Sequence, residues 1–348
     1  MHTANASAGG MVAAVLVSLA AAWAHAAEPA NRDEPIRVGI IGLDTSHSTA
    51  FTKLLNDTAD GQHVPGCRVV AASPKGSADI ASSVSRVPEY TAEVKKHGVE
   101  IVDGIPALLG QVDAVLLETN DGRPHLEQVI PVIKAGKRVF VDKPIAGSLA
   151  DAVAIHRLAA KKQVPLFSAS SLRFAAGTLA VRGGSIGPVT GADTVSPCAL
   201  EATHPDLFWY GIHGVESLFT VMGPGCASVT RTTAPDFDQV TGLWGDGRIG
   251  TFRGIRKGTA PFAGTAFGEK GSAPMGAFDG YRPLLVEIVK FFETRESPVP
   301  VAETLEIYAF MEAADESKRQ GGKTVSIAAV MEKAEAEATK RLKALGAE

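Results

Sequence analysis

Three short stretches hold the side chains best suited to chemistry. The first is Asp44-Thr45-Ser46-His47, the second Glu118-Thr119-Asn120-Asp121 with His125 four residues on, and the third Asp142-Lys143-Pro144. Carboxylates and imidazoles at such positions can hold Zn²⁺ or Mn²⁺. They can equally act as general acids and bases. The metal alternative takes Asp44, His47, Glu118 and Asp121 as ligands. Local structure offers plainer roles as well. Asp44, Thr45 or Ser46 suits a helix N-cap, and Asn120-Asp121-Gly122 is a strong turn signal. Lys143, between an acid and a proline at the end of an apolar run, reads as functional. Further along lie Arg173, His204 in Thr-His-Pro-Asp, Tyr210, His213 and Glu216, which are candidate substrate contacts and proton carriers.

The elements that must position these groups are legible from the apolar pattern. Ile36–Leu43 (IRVGIIGL) is an apolar, β-branched run that suits a parallel strand buried on both faces. Val69–Ser73, Val99–Asp103, Asp113–Thr119, the run from Arg138 and the run from Val164 read as five more strands. Helical spacing covers Ser48–Asn56, Tyr90–His97, Leu126–Ala135 (stopped by Gly136) and Ala150–Lys162. Strands alternating with helices predict an α/β fold with a doubly wound parallel sheet. In such a sheet strands one and four are neighbours at the switch point where ligands bind. Each chemically capable stretch follows strand one, four or five. All three therefore belong on one crevice.

From Gly187 the pattern changes to period two: VTGADTV, CASVTRTT, QVTGLWGD and IGTFRGI. This predicts a mainly antiparallel open sheet with one solvated face. Helices are expected after His213, over Arg282–Glu293, over Ala302–Lys318 and in the Ala/Glu/Lys-rich tail from Ala329. The division expected is a Rossmann-type domain over 36–165, a second domain over 166–328 and a helical tail over 329–348.

The net charge of −4 gives no reason to expect nucleic acid or an anionic membrane as a partner. Cys67, Cys198 and Cys226 are odd in number and widely spaced. They fit buried thiols, not a disulfide framework or a C-x-x-C metal site. Met11–Ala26 is an apolar run too short to span a bilayer. It ends in Ala24-His25-Ala26, an A-x-A-like cleavage pattern, so residues 1–26 are expected to be a secretory signal peptide and 27–35 a linker. No twin arginine precedes the run, and the expected destination is periplasmic or extracellular.

Several motifs in order resemble the Gfo/Idh/MocA family of sugar and cyclitol oxidoreductases. They are VGIIG, DAVLLETNDGRPHLEQVIPVIKAGKRVFVDKPIA, LFSASSLRF, GSIGPVTGA, IHGVESLFTVMGPG and the stretch from Tyr281 to Ile327. The resemblance implies a Rossmann domain binding NAD(P), a carbohydrate substrate and a homo-oligomer formed through the second sheet. It places Lys143 beside the reacting carbon, makes His213 the general acid/base and sets His125 near the nicotinamide. Gly42, Asp44, Thr45, Ser46, His47, Glu118, Asn120, Asp142 and Pro144 would line the cofactor crevice.

The chain departs from that pattern in its loop. A dinucleotide fingerprint needs three glycines: for the turn, for approach of the pyrophosphate and for helix packing. Here Gly42-Leu43-Asp44-Thr45-Ser46-His47 keeps the first alone. Strand two ends in Ser73-Pro74-Lys75 where NAD binders carry an acid, so Lys75 favours NADP over NAD. Trp209 stands four residues before His213, where the family often has Asp, while Glu216 matches its usual acid. Two expectations follow. The first is an NADP-favouring oxidoreductase of a sugar. The alternative is a cofactor-free or metal-dependent sugar lyase or hydrolase working in the same crevice.

Overall fold

A computed structural model describes residues 34–348, so the expected signal peptide and most of the linker lie outside the described residues. The first half forms a six-stranded parallel sheet from β1 (Ile36–Ile41), β2 (Cys67–Ser73), β3 (Glu100–Ile101), β4 (Ala114–Leu117), β5 (Arg138–Val141) and β6 (Leu166–Phe167). Its order is β3-β2-β1-β4-β5-β6. That is the doubly wound order of dinucleotide-binding folds, with the switch point between β1 and β4. β4 and β5 are buried at every position, as their unbroken apolar runs require.

Register fixes the crevice. Ile41 pairs with Leu117, and Leu117 with Val141. The loops that begin at Gly42, Glu118 and Asp142 therefore leave the sheet side by side. Helices α1 (Ser46–Asn56), α2 (Ala81–Lys96), α3 (Gly104–Leu109), α4 (His125–Lys134) and α5 (Leu149–Lys161) complete the layers. Thr45 caps α1 and Ser148 caps α5, each with its side-chain oxygen. α2 begins nine residues before the expected helix, and the short α3 escaped the apolar pattern.

The second half follows Arg173 with α6 (Ala176–Arg182), β7 (Val189–Pro197), α7 (Ile212–Met222), β8 (Cys226–Ala234), β9 (Phe237–Trp244) and β10 (Ile249–Ile255). Then come β11 (Ala263–Gly268), β12 (Gly271–Met275), α8 (Arg282–Thr294), α9 (Val301–Arg319), β13 (Val325–Ser326) and α10 (Ile327–Ala344). The seven-stranded sheet runs β12-β11-β7-β10-β9-β8-β13. Its pairs are antiparallel except β7 with β10, which are parallel. The four period-two stretches are β7 to β10. β11 and β12 carry too many glycines and small residues to show the pattern.

The two halves interlock. Leu284, Leu285, Ile288, Phe291 and Phe292 of α8 join Phe140 and Phe167 in the core on one side of the first sheet. α10 lays Val330, Ala334, Ala338 and Leu342 into the other core, beside residues of α5. The first sheet also runs two residues past the expected boundary at 165. All three cysteines are free and buried, and burial pushes each thiol up to about 12.

His156 in α5 is buried, and its Nε2 has no hydrogen-bond partner. Burial pushes its imidazole down to about 4. The folded chain then binds fewer protons than the unfolded one between that value and about 6.5. Stability is therefore full above about pH 6.5 and declines as pH falls toward 4, by about 3 kcal/mol from this residue. Urea unfolding of the wild type and His156→Leu across that range should give a steeper acid loss for the wild type. Parallel profiles would contradict this effect of His156.

Candidate active site

Gly42 ends β1 with φ +90°, and its amide donates to Ser73 O at 2.9 Å. A Cβ there would lie 2.5 Å from the Thr119 backbone nitrogen, so the strand-one and strand-four loops touch at a point where nothing but glycine fits. This is the one fingerprint glycine the sequence retains.

Asp44 is fully buried. Its Oδ1 accepts the Asn120 backbone N–H at 3.0 Å, and its Oδ2 accepts the Ser83 hydroxyl at 2.6 Å. A Cβ added at Gly76 would sit 2.8 Å from Oδ2, so the loop after β2 closes directly over the carboxylate. Burial raises the Asp44 carboxyl, against the pull of the Ser83 and Asn120 hydrogen bonds. The carboxylate thus ties together the loops after β1, β2 and β4.

A second set of contacts seals the same edge. The Ser77 hydroxyl donates to Asp121 Oδ2 at 2.6 Å. Arg123 donates to Asp121 and, through both terminal nitrogens, to Asp79 at 2.8 and 2.9 Å. His204 Nε2 lies 2.9 Å from Asp121 Oδ1. These partners hold the Asp121 carboxyl well below its usual range in spite of burial. Lys75, in the loop after β2, is exposed.

The inner end of the crevice is different. His47 Nδ1 lies 2.9 Å from Asp142 Oδ1 and 3.9 Å from Glu118 Oε2. Its ring stands 5.2 Å from Phe51 and 4.6 Å from Tyr281. The Tyr281 hydroxyl in turn meets Ser46 Oγ at 3.0 Å. Neither Glu118 oxygen, nor Asp142 Oδ2, has a hydrogen-bond partner. Lys143 Nζ is 3.7 Å from Asp142 Oδ2, and the Lys143–Pro144 peptide is cis. Burial, reinforced by Asp142, raises Glu118 well above its ordinary value. Burial works the same way on Asp142, but His47 and Lys143 outweigh it and hold that carboxyl low.

His213 opens α7, and its Nδ1 meets Ser170 Oγ at 2.8 Å. Burial holds its imidazole well below 6.5, with Lys143 and His47 adding to the effect. The ring lies 5.0 Å from Tyr210, which is 36 % exposed, and 5.6 Å from Phe262. Lys143, His47 and Asp142 thus lie near enough for their charges to act on His213, and Tyr210 stands beside its ring.

Other expected site residues have different jobs. Both ring nitrogens of His125 face backbone carbonyls, Nδ1 with Ile145 O at 3.2 Å and Nε2 with Thr119 O at 2.8 Å. Burial lowers its imidazole, and a neutral ring has one N–H to donate, so the ring lies between the loops after β4 and β5 and bonds one of these carbonyls. Arg173 donates to Glu216 Oε1 and to Glu303 Oε1, both at 2.5 Å. Arg173 and Glu216, expected as substrate contacts, are thus paired with each other, while Arg173 Nη2 is buried without a hydrogen-bond partner. His204 is engaged with Asp121 and, through Nδ1, with Thr203 Oγ1 at 2.9 Å. The metal alternative changes composition as well. Asp44 and Asp121 are committed to hydrogen bonds, while Asp142 joins His47 and Glu118 with donor atoms all within 4.8 Å of one another.

Sequence reading missed Ser170, Ser83, Arg123 and Tyr281. Arg123 lies inside a motif already singled out, two residues after Asp121. Tyr281 stands 235 residues from Ser46, and no local signal could have joined them.

Residues 36–170 match the GFO_IDH_MocA family, described as an oxidoreductase family with an NAD-binding Rossmann fold. The Salmonella typhimurium protein YceM is 31% identical over 140 residues, 40% of this chain and 40% of that protein. Inositol 2-dehydrogenase 3 of Saccharopolyspora erythraea is 32% identical over 123 residues, 34% of this chain and 31% of that protein. The match thus spans well under half the length of these curated relatives. Among solved structures, myo-inositol dehydrogenase from Lactobacillus casei in complex with NAD(H) and myo-inositol superposes with a TM-score of 0.66 at 16% identity. It covers 84% of this chain and 97% of the other. An Agrobacterium radiobacter oxidoreductase gives a TM-score of 0.67 at 18% identity over 85% and 99%. At such identities the likeness is one of fold. Residues 36–170 are thus similar in sequence to the Gfo/Idh/MocA oxidoreductase family, and the likeness of fold covers 84–85% of the chain.

Proposed function

We propose that the chain is an oxidoreductase of this family acting on a sugar or sugar derivative. The observation that carries the reading is that Lys143 and His213 are both buried and close enough for the lysine charge to act on the imidazole. A buried ammonium beside a substrate hydroxyl or carbonyl stabilises the alkoxide that develops during hydride transfer. A histidine held neutral by burial accepts the hydroxyl proton, and Ser170 fixes its ring. NAD(P) would supply the hydride acceptor. Gly42, the α1 N-terminus and Pro144 would bound its site, and exposed Lys75 favours NADP through its 2′-phosphate. Binding requires the seam of Ser77, Asp79, Asp121 and Arg123 to open.

A second reading has its own observation. Asp44 stands in place of the second fingerprint glycine, and its buried carboxylate is tied to Asn120 and Ser83. That favours a cofactor-free or metal-dependent sugar lyase or hydrolase using the same inner groups. Calorimetry with NADP(H) and NAD(H) on the purified chain separates the two. Micromolar binding supports the oxidoreductase and sinks the second reading. No binding at millimolar nucleotide rules out the oxidoreductase and leaves the lyase or hydrolase.

We infer further that the chain is exported, on the strength of the apolar run ending in Ala24-His25-Ala26. We also infer that it self-associates through the second sheet. Leu243 pairs with Ile249, Ile249 with Gly191, and Gly191 with Phe267, so three apolar side chains line up across four strands. They are 46, 53 and 42% exposed. A monomeric mass in solution would refute that role for the sheet.

A further inference from the structure

The inner cluster contains a contradiction that hydrogen bonding does not resolve. Glu118 is 0% exposed, and neither of its carboxylate oxygens has a partner. Asp142 is equally buried, with Oδ2 unpartnered. Leaving such groups unsatisfied costs several kcal/mol in general. A proton on Glu118 would remove one charge but not the problem. The new hydroxyl would still need an acceptor, and His47 Nδ1, 3.9 Å from Oε2, is too distant to serve. Lys143 offers a single ammonium, 3.7 Å from Asp142 Oδ2, against two carboxylates.

A cation resolves all of this at once. One donor atom from each of His47, Glu118 and Asp142 falls within 4.8 Å of the others. Ligands bound at about 2.1 Å in tetrahedral or octahedral geometry lie about 3–3.4 Å apart, so movements of the order of 1 Å in the side chains close the shell. We propose that His47 Nδ1, Glu118 and Asp142 bind a divalent transition cation, Zn²⁺ or Mn²⁺. One imidazole with two carboxylates is a hard-to-borderline donor set, which suits these ions better than soft Cu(I). Three protein ligands leave a coordination position free. Lys143 is the nearest further charge, its Nζ 3.7 Å from Asp142 Oδ2. A sugar hydroxyl or a water taking the free position would be polarised beside a lysine. Phe51 and Tyr281 hold the ring in place.

The site's use in catalysis rests on the second reading above, but its occupancy does not. The test is therefore a binding experiment. Zn²⁺ and Mn²⁺ are titrated by calorimetry into the full chain after chelator treatment, and thermal melts are recorded with and without each ion. The expected result is about one equivalent per chain of at least one of the two ions, with a raised melting temperature. Glu118→Gln and His47→Gln should each weaken binding at least about tenfold and abolish the melting shift while keeping the wild-type circular dichroism. Glu118→Gln removes a buried charge at constant shape, so folding is expected to survive it. Absence of saturable binding up to millimolar metal would overturn the proposal. So would undiminished binding by both variants, since the ion would then sit elsewhere. Nucleotide binding measured on the same samples reports on the oxidoreductase reading separately. Metal without nucleotide, or nucleotide without metal, identifies which of the two fails.

Discussion

Asp44→Gly is expected to tighten NADP(H) binding by about two to three orders of magnitude. A carboxylate about 4 Å from a phosphate charge costs about 4 kcal/mol at an effective dielectric near 20, which is roughly a thousandfold in affinity. The structure adds an occupancy effect to the charge effect. The Asp44 carboxylate bridges Asn120, Ser83 and the loop at Gly76, so the side chain occupies space as well as carrying charge. Asp44→Asn separates the two. It keeps the volume and one hydrogen-bond acceptor but removes the charge. Calorimetric affinities that rise in the order wild type, Asn, Gly would support both effects. If neither variant binds more tightly than the wild type, Asp44 is not the barrier. Asn120 and Ser83 lose a partner in the glycine variant, so its melting temperature is expected to fall.

Lys143→Met is expected to lower kcat/KM by about a thousandfold or more, the scale of losing a charge-stabilising donor from a water-poor site. Lys143→Arg is expected to rescue little, because a planar fork cannot replace a compact ammonium beside Asp142. His213→Asn should cost about 10² to 10⁴ through loss of proton transfer. The pH profile distinguishes the roles. Burial, then Lys143 and His47, hold the His213 imidazole well below 6.5. It stays neutral at neutral pH and takes a proton only in acid, so kcat/KM should be flat near pH 7 and fall below its lowered value as pH drops. Steady-state rates across a panel of aldoses and cyclitols with NADP⁺, in wild type and variants, check this. Retention of a tenth or more of the wild-type kcat/KM by Lys143→Met would remove lysine from the chemistry.

The elements that build the crevice were readable because their signals are local. An apolar, β-branched run such as Ile36–Ile41 buries both faces, and Gly136 and Thr45 mark helix ends through backbone and capping needs confined to a few residues. The same locality explains the misses. α3 is six residues long, too short to show a period. β11 and β12 pair through glycines and small side chains that carry no pattern.

For the site, sequence determined which chemical groups the crevice holds. The alternation of strands and helices puts whatever follows β1, β4 and β5 on one edge, and Asp44, His47, Glu118, Asp142 and Lys143 occupy those positions. It also determined that two of the three fingerprint glycines are absent. Tertiary structure alone decided which group meets which. Asp44 turned toward Asn120 and Ser83, Asp121 toward Arg123 and Ser77, and Asp142 took their place beside His47 and Glu118. His125 and Arg173 carry side chains as capable as those of His213 and Lys143, yet the ring of His125 lies between two backbone carbonyls and Arg173 is paired with Glu216 and Glu303. Residue type sets what a side chain can do. Its free hydrogen-bonding capacity is set by partners up to 235 residues away, and those become neighbours only when the chain has packed.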